Sequence, residues 1–162
     1  MLLQQLDIAK ARISKILAPI DGSESSLNAA DYAISIAKKN NAQLTALHVI
    51  RPEESYQYAS DLALMTTPTS IDSMVQTVKQ DFQKWFDIVK QKSDANNVQL
   101  KKTDTIVSPG SVVGTIVDYA EREGIDLIVI GTRGRSGFKK LLLGNTASGI
   151  ISYAHCPVMI VK

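Results

Sequence analysis

Residues 127 to 145 read LIVIGTRGRSGFKKLLLGN, and the change of character inside that stretch decides the fold. LIVI is apolar at every position. A strand with one face in water alternates apolar and polar side chains, so an unbroken apolar run reads as a strand covered on both faces, as in a parallel sheet. Behind it come glycines at 131, 134, 137 and 144 and four cations, Arg133, Arg135, Lys139 and Lys140, with no acidic residue. Two readings fit: a loop with a solvated basic face, or a loop whose backbone must approach an anion. It is not a Walker A loop, since no GxxxxGK[ST] can be drawn, and GxGxxG is absent. The physical parts of an anion site are nevertheless present. Gly131 and Gly134 are expected to supply positive φ and close backbone approach. Asn145 is expected to cap the following helix, whose positive dipole end favours an anion.

Working outward, the same alternation of apolar run and amphipathic segment recurs. Ile16 to Ile20 reads as a buried strand ended by the turn Asp21-Gly22-Ser23, and Leu27, Ala30, Ala33, Ile34 and Ala37 recur at helical spacing. Lys38, Lys39, Asn40 and Asn41 suit that helix's last turn and left-handed cap. Leu44 to Ile50 is the second strand. Residues 51 to 70 show no firm period, and a loop of that length is uncommon and often functional. From Ile71 a stripe of Met74, Val75, Val78, Phe82, Trp85, Phe86 and Val89 predicts a helix packed on the core. Val98 to Val107 is more polar and reads as a sheet margin. The turn Ser108-Pro109-Gly110 leads to a helix with Val113, Ile116, Val117 and Ala120 inward, closed by Gly124. After LIVI come a helix from Asn145 to Ala154, the breaker Pro157 and a last strand, Val158 to Val161. The fold class is α/β, a single open parallel sheet with helices on both faces.

The composition narrows the function classes. A chain of 162 residues with 44% hydrophobic and 21% charged residues is one ordinary globular domain. A net charge of +2 argues against nucleic-acid or membrane binding by bulk electrostatics. One cysteine, Cys156, and two histidines give neither a disulfide framework nor a metal cluster of recognisable spacing. No run approaches the roughly 20 apolar residues of a membrane span. MLLQQLDIAKAR lacks an h-region, so residues 1–12 read as an N-terminal extension and the protein is expected in the cytoplasm. Taken singly, Asp21 reads as a turn residue, His48 as a satisfied strand histidine and His155 as a helix-end cation. Asp126 reads as structural and Cys156 as an inert, half-buried thiol.

Gly131-x2-Gly134-x9-Gly144 resembles the nucleotide motif of the universal stress protein family. The resemblance extends in order through ILAPIDGSESS, HVI, DLIVIGTRGRSGFKKLLLGN and HCPVMIVK, leaving out residues 1–12 and 51–70. It implies a five-stranded sheet in the order 3-2-1-4-5, with residues 13–162 forming a nucleotide-binding domain and a switch point between the first and fourth strands. It further implies that ATP, AMP or another adenine nucleotide binds there in a regulatory, stress-response protein. Asp21 and the backbone at Val49 would hold adenine, with Pro19 lining its pocket. Ile130, Gly131, Thr132, Arg133, Gly134, Arg135 and Gly144, Asn145, Thr146 and Ala147 would surround ribose and phosphates. Asn145 stands where the motif has Ser or Thr, which bears on triphosphate preference, and Thr146 offers a neighbouring hydroxyl. Asp21 could hold Mg²⁺ with the nucleotide. Family members commonly dimerise through the last strand, so a homodimer through Val158 to Val161 and an unknown regulatory protein partner are implied. The alternatives are a nucleotide-free dimeric scaffold and a slow ATPase. Against the ATPase, no Glu or Gln near the glycines could position water.

Overall fold

The computed structural model describes residues 12–51, 71–108, 110–133 and 143–162, without the side chains of 71–79, 81 and 107. Its elements run β1 (Lys15–Pro19), α1 (Glu24–Asn40), β2 (Gln43–Ile50), α2 (Ile71–Ala95), β3 (Leu100–Val107), α3 (Val112–Glu123), β4 (Leu127–Gly131), α4 (Asn145–Tyr153) and β5 (Val158–Val161). The five strands form one parallel sheet in the order β3-β2-β1-β4-β5, as expected.

The helices divide between the two faces of the sheet. Ala29, Ala30, Ala33, Ile34 and Ala37 of α1 and Phe86 and Val89 of α2 bury with Ile16, Ala18, Leu44, Ala46 and Val129. On the other face, Ile116, Tyr119 and Ala120 of α3 and Ala147 and Ile150 of α4 bury with Leu17, Leu47, Ile128 and Ile130. Alternate residues of β1, β2, β4 and β5 thus serve opposite cores, which is why LIVI carries no polar side chain.

Local chemistry sets the element ends. Ser23 caps α1 by accepting the Ser26 N–H at 3.1 Å. Asn41 ends the helix in the left-handed conformation, φ 51°, as Gly124 does for α3 with φ 63°. The third strand starts at Leu100, later than the expected Val98. Asn97 turns left-handed (φ 54°) and the Val98 N–H reaches back to Ser93 O at 2.9 Å, so Val98 still belongs to the helix exit. Asp126, opposite the switch point, accepts the Ser14 and Lys15 N–H groups at 2.8 and 2.9 Å and fixes the start of β1, the structural role expected of it.

The two sheet edges differ. β3 carries Lys101, Lys102 and Asp104, with Lys102 and Asp104 paired at 2.8 Å, and such charges block edge-to-edge association. β5 has none.

On α2, Ser93 is fully buried and its hydroxyl has no hydrogen-bond partner. A buried unmet hydroxyl costs about 1–3 kcal/mol. Ser93→Ala is therefore expected to stabilise the fold by about 1 kcal/mol and raise the melting temperature by about 3 °C. A thermal melt with an unchanged or lower midpoint would show that the hydroxyl contributes to the native state.

Candidate functional site

β1 lies between β2 and β4, and the chain leaves its carboxyl end toward α1 while β4 leaves toward α4. The two exits diverge and open a crevice, the usual ligand position in an open α/β sheet.

One wall is the β1–α1 turn. Asp21 Oδ1 accepts the Ser23 N–H at 3.0 Å and the Ser23 hydroxyl at 2.6 Å, while the Asp21 N–H reaches Ser26 Oγ at 3.3 Å. The carboxylate is thus a turn former, held at the crevice mouth. Gly22 follows with φ 79°, a conformation that favours glycine. Pro19 closes β1, two residues beyond Leu17 on the α3/α4 side.

Val49 forms the second wall through its backbone. Leu47 O faces β1, because the Ile20 N–H bonds it at 2.8 Å; Ile50 O faces β3, because the Ser108 N–H bonds it at 2.8 Å. Peptide groups alternate along a strand, so those of Val49 face the β1 side. Pairing with β1 ends at Pro19↔Leu47, leaving Val49 beyond the last pair and beside the turn.

The third wall joins the end of β4 to the start of α4. Ile130 is buried on the α3/α4 face. Gly131 was expected to supply positive φ, yet the positive-φ glycines among the described residues are Gly22 and Gly124. The reason for Gly131 is close approach, since a Cβ there would lie 2.6 Å from the Ser25 carbonyl carbon in the first turn of α1. Thr132, expected beside ribose and phosphates, is also a junction: its N–H bonds Val161 O at 2.8 Å, its carbonyl accepts the Gly144 N–H at 2.8 Å, and its hydroxyl lies 3.5 Å from Ser25 Oγ. Arg133 is exposed, with its carbonyl 3.2 Å from Ser23 Oγ. Gly134 and Arg135, with Gly137, Lys139 and Lys140, lie outside the described residues.

The expected cap at Asn145 is corrected. Gly144 is the N-cap, extended at φ −61° and ψ 149°, and Asn145 is already the first helical residue. Gly144 bonds back to Thr132, which sets the cap one residue earlier. No side chain caps this end and no acid lies in its first turn. The amide groups of Asn145, Thr146 and Ala147, at the positive end of the dipole, therefore form a pole suited to an anion.

The remaining candidates fall away from the crevice or into its support. His48 is buried, with Nδ1 against Ile20 O, while its buried Nε2 makes no hydrogen bond among the described residues, so the satisfied strand histidine expected is met at one ring nitrogen only. Extended Ala154 ends α4, so His155 stands beyond the last helical turn and is not the helix-end cation expected. Burial, with a smaller push from the Asp126 charge, raises the Cys156 thiol above its ordinary range, as an inert thiol requires. No three His, Cys, Asp or Glu side chains among the described residues group to hold a metal.

The family profile described as the universal stress protein family matches residues 12–162. The chain belongs to that family. A universal stress protein of Methanocaldococcus jannaschii is 35% identical over 148 residues, covering 91% of this chain and 81% of its own. YxiE of Bacillus subtilis, also a universal stress protein, is 35% identical over 150 residues, covering 92% and 99%. Two solved structures share the fold and carry nucleotides. One is a universal stress protein in complex with cAMP (TM-score 0.62, 23% identity, 93% and 98% coverage). The other is the universal stress protein from Archaeoglobus fulgidus in complex with dAMP (TM-score 0.61, 16% identity, 93% and 98% coverage). At those identities the likeness establishes the fold.

Proposed function

We propose that this universal stress protein is a regulatory, stress-response protein that binds ATP or AMP in the crevice between β1 and β4. The observation that carries the reading is convergence. The Asp21 turn, the Val49 peptide groups beyond the end of β1, and the glycine-capped start of α4 all border one crevice. Adenine lies between Pro19, Asp21 and the Val49 backbone, beside Ile130. Ribose and phosphates lie along Gly131, Thr132, Arg133, Gly134 and Arg135, with the phosphates at Gly144, Asn145, Thr146 and Ala147. The cAMP and dAMP complexes of the two solved relatives support an adenine ligand. Asp21 is the carboxylate that could meet Mg²⁺ carried by a triphosphate. Residues 13–162 form the nucleotide-binding domain and 1–12 an extension. The protein works in the cytoplasm as a homodimer through β5, and the bound state is read by a regulatory protein partner.

Mass spectrometry of small molecules released from the purified protein, followed by calorimetry with AMP and ATP, tests this. An adenine nucleotide should be recovered or bound, and Asp21→Ala should weaken binding at least tenfold, about 1.4 kcal/mol. A protein that purifies empty and takes up neither nucleotide at millimolar concentration is the nucleotide-free scaffold instead.

A further inference from the structure

The chain's single tryptophan lies outside the crevice, on α2, and packs against the turn that forms one wall. A Cβ built at Gly22 would fall inside the Trp85 indole, so the ring rests directly on the backbone of a residue held at positive φ. Trp85 is 4.7 Å, centroid to centroid, from the buried Phe82, and Phe82 is 4.0 Å from the His48 ring. His48 in turn engages Ile20 O, at the end of β1. One aromatic cluster therefore backs three backbone points: Ile20 where β1 ends, Gly22 in the turn, and β2 one residue before Val49. Aromatic rings are rigid packing units with few rotamers. What presses on Gly22 fixes the direction of the turn, and with it the separation between Asp21 and the Val49 peptide groups.

We propose that Trp85 and Phe82, with His48, are positioning residues for the adenine end of the site. They hold the Asp21 and Val49 walls at base-reading separation from behind the sheet, without touching the ligand. This rests on the nucleotide reading above. The phosphate end is anchored elsewhere, through Thr132, Gly144 and Ser25, so the cluster governs the nucleoside part of the ligand.

Calorimetry with adenosine, AMP and ATP on wild type, Trp85→Leu and Trp85→Phe tests the assignment. Trp85→Leu should weaken all three ligands by the same factor, about tenfold, because a displaced wall is felt wherever the base is bound. Trp85→Phe, which keeps a flat ring over Gly22, should restore most of that loss. Saturating wild type should also shift its tryptophan emission, with the calorimetric midpoint. A cooperatively folded Trp85→Leu with affinity within twofold of wild type overturns the role, as does an equal loss in Leu and Phe variants. If Trp85→Leu does not fold, wild-type emission decides: a saturable shift supports the role and an unmoved spectrum at saturation overturns it. Wild type that binds none of the three ligands refutes the nucleotide reading itself, a different outcome from wild-type binding that the variant retains.

Discussion

Gly131→Val is expected to lower stability by about 3 kcal/mol or more, and the melting temperature by roughly 6–12 °C. A Cβ at 131 would lie 2.6 Å from both the carbonyl carbon and oxygen of Ser25, which is backbone and cannot turn aside as a side chain would. The structure would have to move α1 off the end of β4. That helix approaches the sheet through Ala29, Ala30, Ala33 and Ala37, and small residues of this kind mean that a shift opens gaps along its whole length. Denaturant unfolding of the variant is the measurement. A loss below about 1 kcal/mol would mean that α1 yields locally at its first turn. Because Gly131 supports the fold, weakened nucleotide binding in such a variant would say nothing of phosphate contact.

Ile160→Pro is expected to turn a homodimer into a monomer while sparing the sheet, whereas Met159→Pro should damage the sheet itself. Ile128 N–H bonds Pro157 O at 3.0 Å and Thr132 N–H bonds Val161 O at 2.8 Å. By alternation Met159 also faces β4, its register partner being Val129. The outward N–H and C=O groups are thus those of Val158 and Ile160. A proline at 160 removes an outward donor, which an edge strand tolerates. It also sacrifices some packing, because Ile160 contributes to the α3/α4 core. Light scattering at micromolar concentration separates the cases. A wild-type mass of 17.6 kDa rejects the dimer, and a dimeric Ile160→Pro rejects β5 as its seam. The uncharged apolar edge strand and the exposed Ile151 and Tyr153 of α4 favour an interface on this side.

Periodicity and turn chemistry made most of this architecture legible. Strand polarity placed β3 at a margin, and Asn41 and Gly124 marked helix ends correctly because only a few residue types tolerate the left-handed region. What escaped the sequence depends on distant contacts. Both Gly144 and Asn145 are reasonable N-caps, and the choice falls to the bond from Gly144 to Thr132. Gly131 reads as a source of positive φ and of close approach to an anion, and proves to be a point of close packing against Ser25. Nothing in the sequence around Trp85 says that its indole would rest on Gly22. In the candidate site, the Asp21 turn and the start of α4 were readable, while the orientation of the Val49 peptide groups required the register of β2 with its neighbours.

The connections at the two ends of the sheet have different tolerances for growth. At the amino ends, helix passes to strand through residues 41–42, 96–99, 124–126 and 154–157, and Asn41, Asn97 and Gly124 bind those turns into left-handed conformations. Lengthening any of them would move a strand along its neighbour, and a one-residue slip sends every side chain to the wrong core. At the carboxyl ends, twenty residues separate β2 from α2 and thirteen separate β4 from α4, and joining two fixed ends by a longer segment costs only a slowly growing closure entropy. Insertions and deletions during divergence, or by design, can therefore accumulate on the crevice side of this fold while the opposite side keeps its length. New recognition is then added at the face that carries the proposed crevice.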